Sequence, residues 1–87
     1  MKHIQGANGK YNCHCCGCFT LDEAFGEDIC DVCFWHDNVV QSDDPDYAGG
    51  ANTMSLNEAR AAYKKCGAKA TDRLKYVRKP RPDELPS

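Results

Sequence analysis

Tyr11-Asn12-Cys13-His14-Cys15-Cys16-Gly17 and Ile29-Cys30-Asp31-Val32-Cys33-Phe34-Trp35 decide the reading of this chain. Taken as Cys13-x2-Cys16 and Cys30-x2-Cys33, they are two CxxC hooks separated by thirteen residues. Two residues between thiolates let the backbone make one tight turn and aim both sulfurs at one ion, so the pattern predicts a tetrahedral site of four thiolates. The gap has the length of a strand, a turn and a returning strand that bring the second hook opposite the first. Gly17 follows the first hook, where the chain often needs a positive φ. Cys15 and Cys18 make an overlapping CxxC. The Cys13/Cys16 pair is preferred because Gly follows it, whereas Phe19 follows Cys18. Cys15 is then a bystander, a core thiol or a redox-sensitive residue. His14 and His36 are expected as surface histidines beside a full site, with nitrogen ligation as the alternative.

Working outward, 87 residues argue for one domain with a small core that needs a staple. The seven cysteines are odd in number and cluster in hooks, and Met1-Lys2-His3-Ile4-Gln5-Gly6 lacks an apolar stretch. A cytoplasmic protein with one structural Zn²⁺ per chain therefore fits better than an oxidised secreted scaffold. No apolar run is long enough to span a membrane.

The formal net charge of -2 hides an asymmetry. Between Phe19 and Asn52 there are nine acidic residues and no Lys or Arg, whereas Arg60 to Arg81 holds nine basic residues and one acid, Asp72. The halves either neutralise each other or meet partners of opposite charge: a basic protein for the first, phosphate for the second.

Residues 1–10 read as a flexible lead-in. Phe19-Thr20-Leu21 alternates like a half-buried strand, and residues 22–28 read as its turn with Gly26 the pivot. Phe34 and Trp35 are expected to pack over the metal site, an exposed aromatic platform being the alternative. Val39 and Val40 extend a strand in this reading, and residues 42–52 form a solvated acidic loop. Ser55 as N-cap with Glu58 three residues into the helix makes a capping box. Leu56, Ala59, Tyr63 and Cys66 share a face, and Gly67 stops the helix. Arg78, Lys79 and Arg81 beside prolines look like an exposed extended arm. The expected fold is a small α+β metal-stabilised domain over 11–79. It is a zinc ribbon, with the hooks on short strands, one helix over about 56–66, and an irregular Pro-rich tail over 80–87.

The blocks Cys13-His-Cys-Cys-Gly17, Ile29-Cys-Asp-Val-Cys-Phe-Trp35, Asp44-Pro-Asp-Tyr-Ala-Gly-Gly-Ala-Asn52, Ser55-Leu-Asn-Glu-Ala-Arg60 and Tyr63-Lys-Lys-Cys-Gly67 resemble the bacterial cysteine-rich CPCC family. The resemblance runs from about Tyr11 to Pro82. It departs where the eponymous proline is His14 and where the acidic pair after the tryptophan is His36-Asp37. It implies a small bacterial cytoplasmic protein with a zinc-ribbon-like site in which Cys13, Cys16, Cys30 and Cys33 match the family hooks. For some members the resemblance also implies a place beside toxin genes, which suits an immunity protein.

Three functions are compatible with these residues. The first is a partner-binding protein whose acidic surface, around Asp37, Asp43, Asp44, Asp46 and Tyr47, engages a basic toxin domain. The second is a nucleic-acid-binding ribbon using Arg73, Lys75, Arg78, Lys79 and Arg81 on phosphates and Tyr76 for stacking; the acidic balance counts against it. The third is a redox protein using Cys15 and Cys18, or an iron-bearing electron carrier. An enzyme is not expected, because four thiolates leave no open coordination position and no nucleophile set is visible.

Overall fold

The computed structural model describes residues 2–86; Met1 and Ser87, the outermost residues of the expected lead-in and tail, lie outside the described residues. Two short strands, β1 (Tyr11–Asn12) and β2 (Phe19–Leu21), pair antiparallel, Tyr11 opposite Leu21 and Asn12 opposite Phe19, with a register shift between them. The first hook is the loop of this hairpin. The chain before β1 folds back on it. Gln5 bridges Tyr11, and the Asn12 N–H donates to the Ile4 carbonyl at 3.0 Å.

The second hook does not return along β2. Ile29 pairs instead with His36, so Cys30 to Cys33 sits at the tip of an arm of its own. The cause lies in residues 22–28. The Asp28 carboxylate accepts from the backbone N–H groups of Asp22 and Glu23 at 3.1 and 3.2 Å. The Phe25 N–H donates to Asp37 Oδ2 at 2.7 Å. These bonds curl the loop toward residue 37. Its left-handed residues are Phe25 and Glu27, at φ 56° and 63°, rather than the expected pivot Gly26.

Val39 and Val40 are helical, not extended. They begin α1 (Val39–Asp43), where Asn38 caps the helix and its Oδ1 accepts from the Gln41 N–H at 3.1 Å. Valine's strand preference is weak beside a good cap and a buried anchor. The anchor is Gln41, fully buried with Asn52. Gln41 Oε1 accepts from the backbone and side-chain nitrogens of Asn52, both at 2.9 Å. Gln41 Nε2 lies 3.1, 3.2 and 2.9 Å from the carbonyls of Tyr47, Asn52 and Met54. The loop after α1 is therefore wrapped around an amide pair.

The helix α2 (Leu56–Cys66) has both bonds of the capping box, Ser55 with Glu58, and ends at Gly67 with φ 91°. Leu56 and Ala59 on its inner face join Leu21, Val32, Trp35 and the thiols of both hooks in the core. Two 3₁₀ segments follow, Thr71–Tyr76 and Pro82–Glu84. The stretch expected as an exposed arm folds back. Glu84 is buried and binds the Arg78 guanidinium through both oxygens, at 2.7 and 2.8 Å. The Arg78 N–H donates to the Asp31 carbonyl in the second arm. Among the described residues no helix is long and apolar enough to cross a membrane.

Candidate metal centre

Each arm presents its cysteines by the same set of backbone bonds. In the first, the Gly17 N–H donates to the Cys13 carbonyl and the Cys13 N–H to the Cys18 carbonyl, both at 2.8 Å. In the second, the Phe34 N–H donates to the Cys30 carbonyl at 2.8 Å and the Cys30 N–H to the Trp35 carbonyl at 2.9 Å. Each turn is closed by a left-handed residue, Gly17 at φ 82° and Phe34 at φ 70°.

The arms meet tip to tip. One sulfur from each of Cys13, Cys16, Cys30 and Cys33 lies within 4.8 Å of the other three. Cys13 Sγ is 3.5 Å from Cys33 Sγ, and Cys16 Sγ is 3.7 Å from Cys30 Sγ. Those separations are far beyond a disulfide bond of about 2.05 Å. They are close to the roughly 3.8 Å edge of a tetrahedron with metal–sulfur bonds of about 2.3 Å. All seven cysteines are free thiols. The donor set, its spacing and its burial fit a four-thiolate metal ion. Cys13, Cys30 and Cys33 are fully buried, and Cys16 is partly so.

Four buried thiols cannot all ionise without a cation. Burial pushes the Cys13 thiol well above its ordinary range, and the shared proton with Cys13 pushes Cys16 up. Cys30 is pulled far down, because Cys13, Cys16 and Cys33 donate to it, with Thr20 adding a hydroxyl. Thr20 Oγ1 lies 3.0 Å from Cys30 Sγ. A divalent cation would offset half of the negative charge of the four thiolates and allow all of them to ionise. Thr20 would then be the outer partner that orients Cys30.

The alternative hook stands outside this set. Cys15 and Cys18 are both buried in the core. The Cys18 N–H points at Cys16 Sγ at 3.5 Å, and burial raises the Cys18 thiol. Cys66 is half-buried and directed at the Ala68 carbonyl. Trp35 packs wholly inside, whereas Phe34 is half-buried and stacks on Tyr76 with centroids 5.4 Å apart. The two aromatics thus divide the roles of core and surface between them.

Other expectations change. His14 is buried, not on the surface: its Nδ1 meets Ser42 Oγ at 2.7 Å and its Nε2 the Lys2 carbonyl at 3.2 Å. Burial, aided by neighbouring His3, lowers its pKa. His36 is half-buried and pairs with Glu27 at 2.5 Å. Asp37 does not belong to an acidic surface. It is fully buried, with Oδ1 2.9 Å from His3 Nε2 and Oδ2 on the Phe25 N–H. Nothing in the local sequence of Asp37 signals this, since His3 lies 34 residues away.

Asp43, Asp44, Asp46 and Tyr47 are exposed in and after α1, with Asp46 accepting from the Asn57 side chain. In the basic half, Lys75, Tyr76, Lys79 and Arg81 are exposed. Arg73 and Arg78 are half-buried, Arg78 held by Glu84 and approaching Asp31 at 4.0 Å.

No curated protein matches the sequence. The family described as Cysteine-rich CPCC does match, over residues 11–84, a span that contains both arms, α1, α2 and the Arg78–Glu84 closure. The chain that sets four thiols tip to tip in this way belongs to the cysteine-rich CPCC family.

Proposed function

We propose that this is a small zinc-bearing cytoplasmic protein that acts by binding a protein partner, specifically as an immunity protein that neutralises a basic toxin domain. One observation carries the reading. Val39, Val40 and Tyr47 are 46%, 54% and 44% exposed in the same short segment as the exposed Asp43, Asp44 and Asp46. Turn bonds join these residues: the Asp44 N–H donates to the Val40 carbonyl, and the Tyr47 N–H to the Asp44 carbonyl. Apolar side chains rimmed by like charge are the makeup of a partner surface. The acidic rim steers a basic partner and the apolar centre holds it. A toxin that attacks nucleic acid has a positive cleft, which such a surface fits. The zinc is structural in this reading, its four positions filled by thiolates, and the protein is not an enzyme.

A second reading rests on the opposite half. The Phe34–Tyr76 stack is flanked by Arg73 at 5.8 Å from the Phe34 centroid and Lys75 at 5.2 Å from that of Tyr76. Aromatics among cations suit single-stranded nucleic acid.

Capture of the tagged protein from native lysate, with and without nuclease, separates the two. The first reading expects one basic protein retained after nuclease treatment. Its association rate should fall at least tenfold in a Asp43→Lys, Asp44→Lys, Asp46→Lys variant, while Val40→Glu speeds dissociation. Recovery of material that nuclease removes, with binding unchanged by those substitutions, would move the function to the Tyr76 side.

A further inference from the structure

A second cluster of ligating side chains lies outside the thiol set. His3, His14 and Asp37 come from the N-terminal segment, the first hook and the residue after the second arm. One donor atom of each lies within 4.8 Å of the other two. The cluster is closed to solvent: the His3 and Asp37 side chains are 1% and 0% exposed, and His14 is 6% exposed. The two imidazoles stack with centroids 4.0 Å apart and 21° between planes, and Phe25 meets His3 edge-on at 4.3 Å.

One buried atom of this cluster is unaccounted for. His3 Nδ1 has no hydrogen-bond partner among the described residues. The Asp37 carboxylate only accepts, so His3 Nε2 carries the proton that faces it, and Nδ1 is the nitrogen left to ligate. A ring nitrogen buried without a partner is rare in a folded protein. A carboxylate on one ring nitrogen and an unfilled lone pair on the other is how proteins orient a histidine that ligates a metal. Two imidazoles suit zinc and its neighbouring divalent transition ions, whereas Mg²⁺ and Ca²⁺ require an oxygen-rich set.

We propose that His3 and His14, with Asp37 holding the His3 ring from its far side, form a second metal site, separate from the four thiols, for a divalent transition ion of the zinc type. Lone pairs in nearly parallel ring planes do not converge on one ion, so loading parts the stacked rings. It also exchanges the His14 bond to Ser42 or to the Lys2 carbonyl for a metal bond. The site is accordingly weaker than the thiolate set and fills after it. Its effect is to clamp the N-terminal segment onto both arms at once.

The test is a Zn²⁺ titration of protein already carrying one zinc in the thiol set, followed by calorimetry and by the ring-nitrogen resonances of the histidines. The wild type should take up one further equivalent, with the ring nitrogens of His3 and His14 shifting and those of His36 unmoved. His3→Phe and His14→Phe, which keep a ring in the stack, should fold with one zinc and lose the second. A wild type that stops at one equivalent would overturn the proposal. So would a second equivalent that leaves the His3 and His14 nitrogens unshifted, or one that both Phe variants still bind with unchanged affinity. Should a variant fail to fold, the wild-type equivalents and ring-nitrogen shifts decide alone.

Discussion

Gly17 and Phe34 occupy the same place in the two arms. Each follows the second cysteine of its hook, donates its N–H to the first cysteine's carbonyl at 2.8 Å, and sits at positive φ, 82° for Gly17 and 70° for Phe34. Glycine takes this conformation at no steric cost, while a residue with a Cβ loses roughly 1–2 kcal/mol. Phe34 carries that cost and keeps a ring that stacks on Tyr76. Truncating it should therefore reverse the usual order of residues. Phe34→Gly should be more stable than Phe34→Ala by about 1 kcal/mol in denaturant unfolding, whereas at an ordinary position alanine wins. Equal stability, or alanine ahead, would show that the second turn carries no such strain.

At the matching position of the first arm, Gly17→Ala should cost about 1 kcal/mol through the backbone alone. The nearest atom to an added Cβ is Pro86 Cγ at 4.0 Å, so no clash contributes. A loss above about 4 kcal/mol would mean that Gly17 serves the metal turn in some further way.

Asn52 ties the loop after α1 to the second arm and to Lys69. Its Oδ1 accepts from the His36 N–H at 3.0 Å and from Lys69 Nζ at 2.9 Å, and its Nδ2 donates to the His36 carbonyl at 2.9 Å. The Lys69 N–H in turn donates to the Cys33 carbonyl at 2.8 Å. Asn52→Ala leaves the His36 N–H, the Lys69 ammonium and part of Gln41 without partners, and should cost about 3 kcal/mol. Amide exchange should accelerate first in residues 44–54. Uniform acceleration across the whole chain would contradict the local role given to this amide pair.

What the sequence made legible was local. The hooks, the capping box at Ser55 and Glu58 and the stop at Gly67 are each written within a few residues, and the structure contains all of them. What it hid depends on distant partners. His14 and Asp37 look like surface groups until the N-terminal segment brings His3 between them. Val39-Val40 reads as strand because two β-branched residues outweigh a cap. Asn38 with Gln41 three residues on is nevertheless an N-cap signal of the same form as Ser55 with Glu58. The self-pairing of the second arm follows from the Phe25–Asp37 bond, which no periodicity announces. Prolines at 80, 82 and 86 suggest an open tail, yet Glu84 closes it onto Arg78.

The Glu84 carboxyl is held down at about 2 by the Arg78 guanidinium, with the Arg81 backbone N–H adding to it. Its folded pKa lies below the unfolded value near 4.3. The stability it contributes is therefore complete above about pH 4.5 and is lost only as the pH falls toward 2. Glu84→Gln should lower stability by roughly 1–2 kcal/mol at pH 7, and by the same amount at pH 5.5. A difference that already shrinks between pH 7 and 5.5 would contradict the pairing.

Cys13, Cys16, Cys30 and Cys33 are placed so that they could hold one metal ion together. X-ray absorption at the zinc edge tests it directly, on protein loaded with one equivalent of Zn²⁺, as wild type and as a Cys15→Ser, Cys18→Ser double variant. Four sulfur neighbours at about 2.3 Å are expected in both proteins. Nitrogen or oxygen in the wild-type shell, or fewer than four sulfurs once Cys15 and Cys18 are gone, would contradict it.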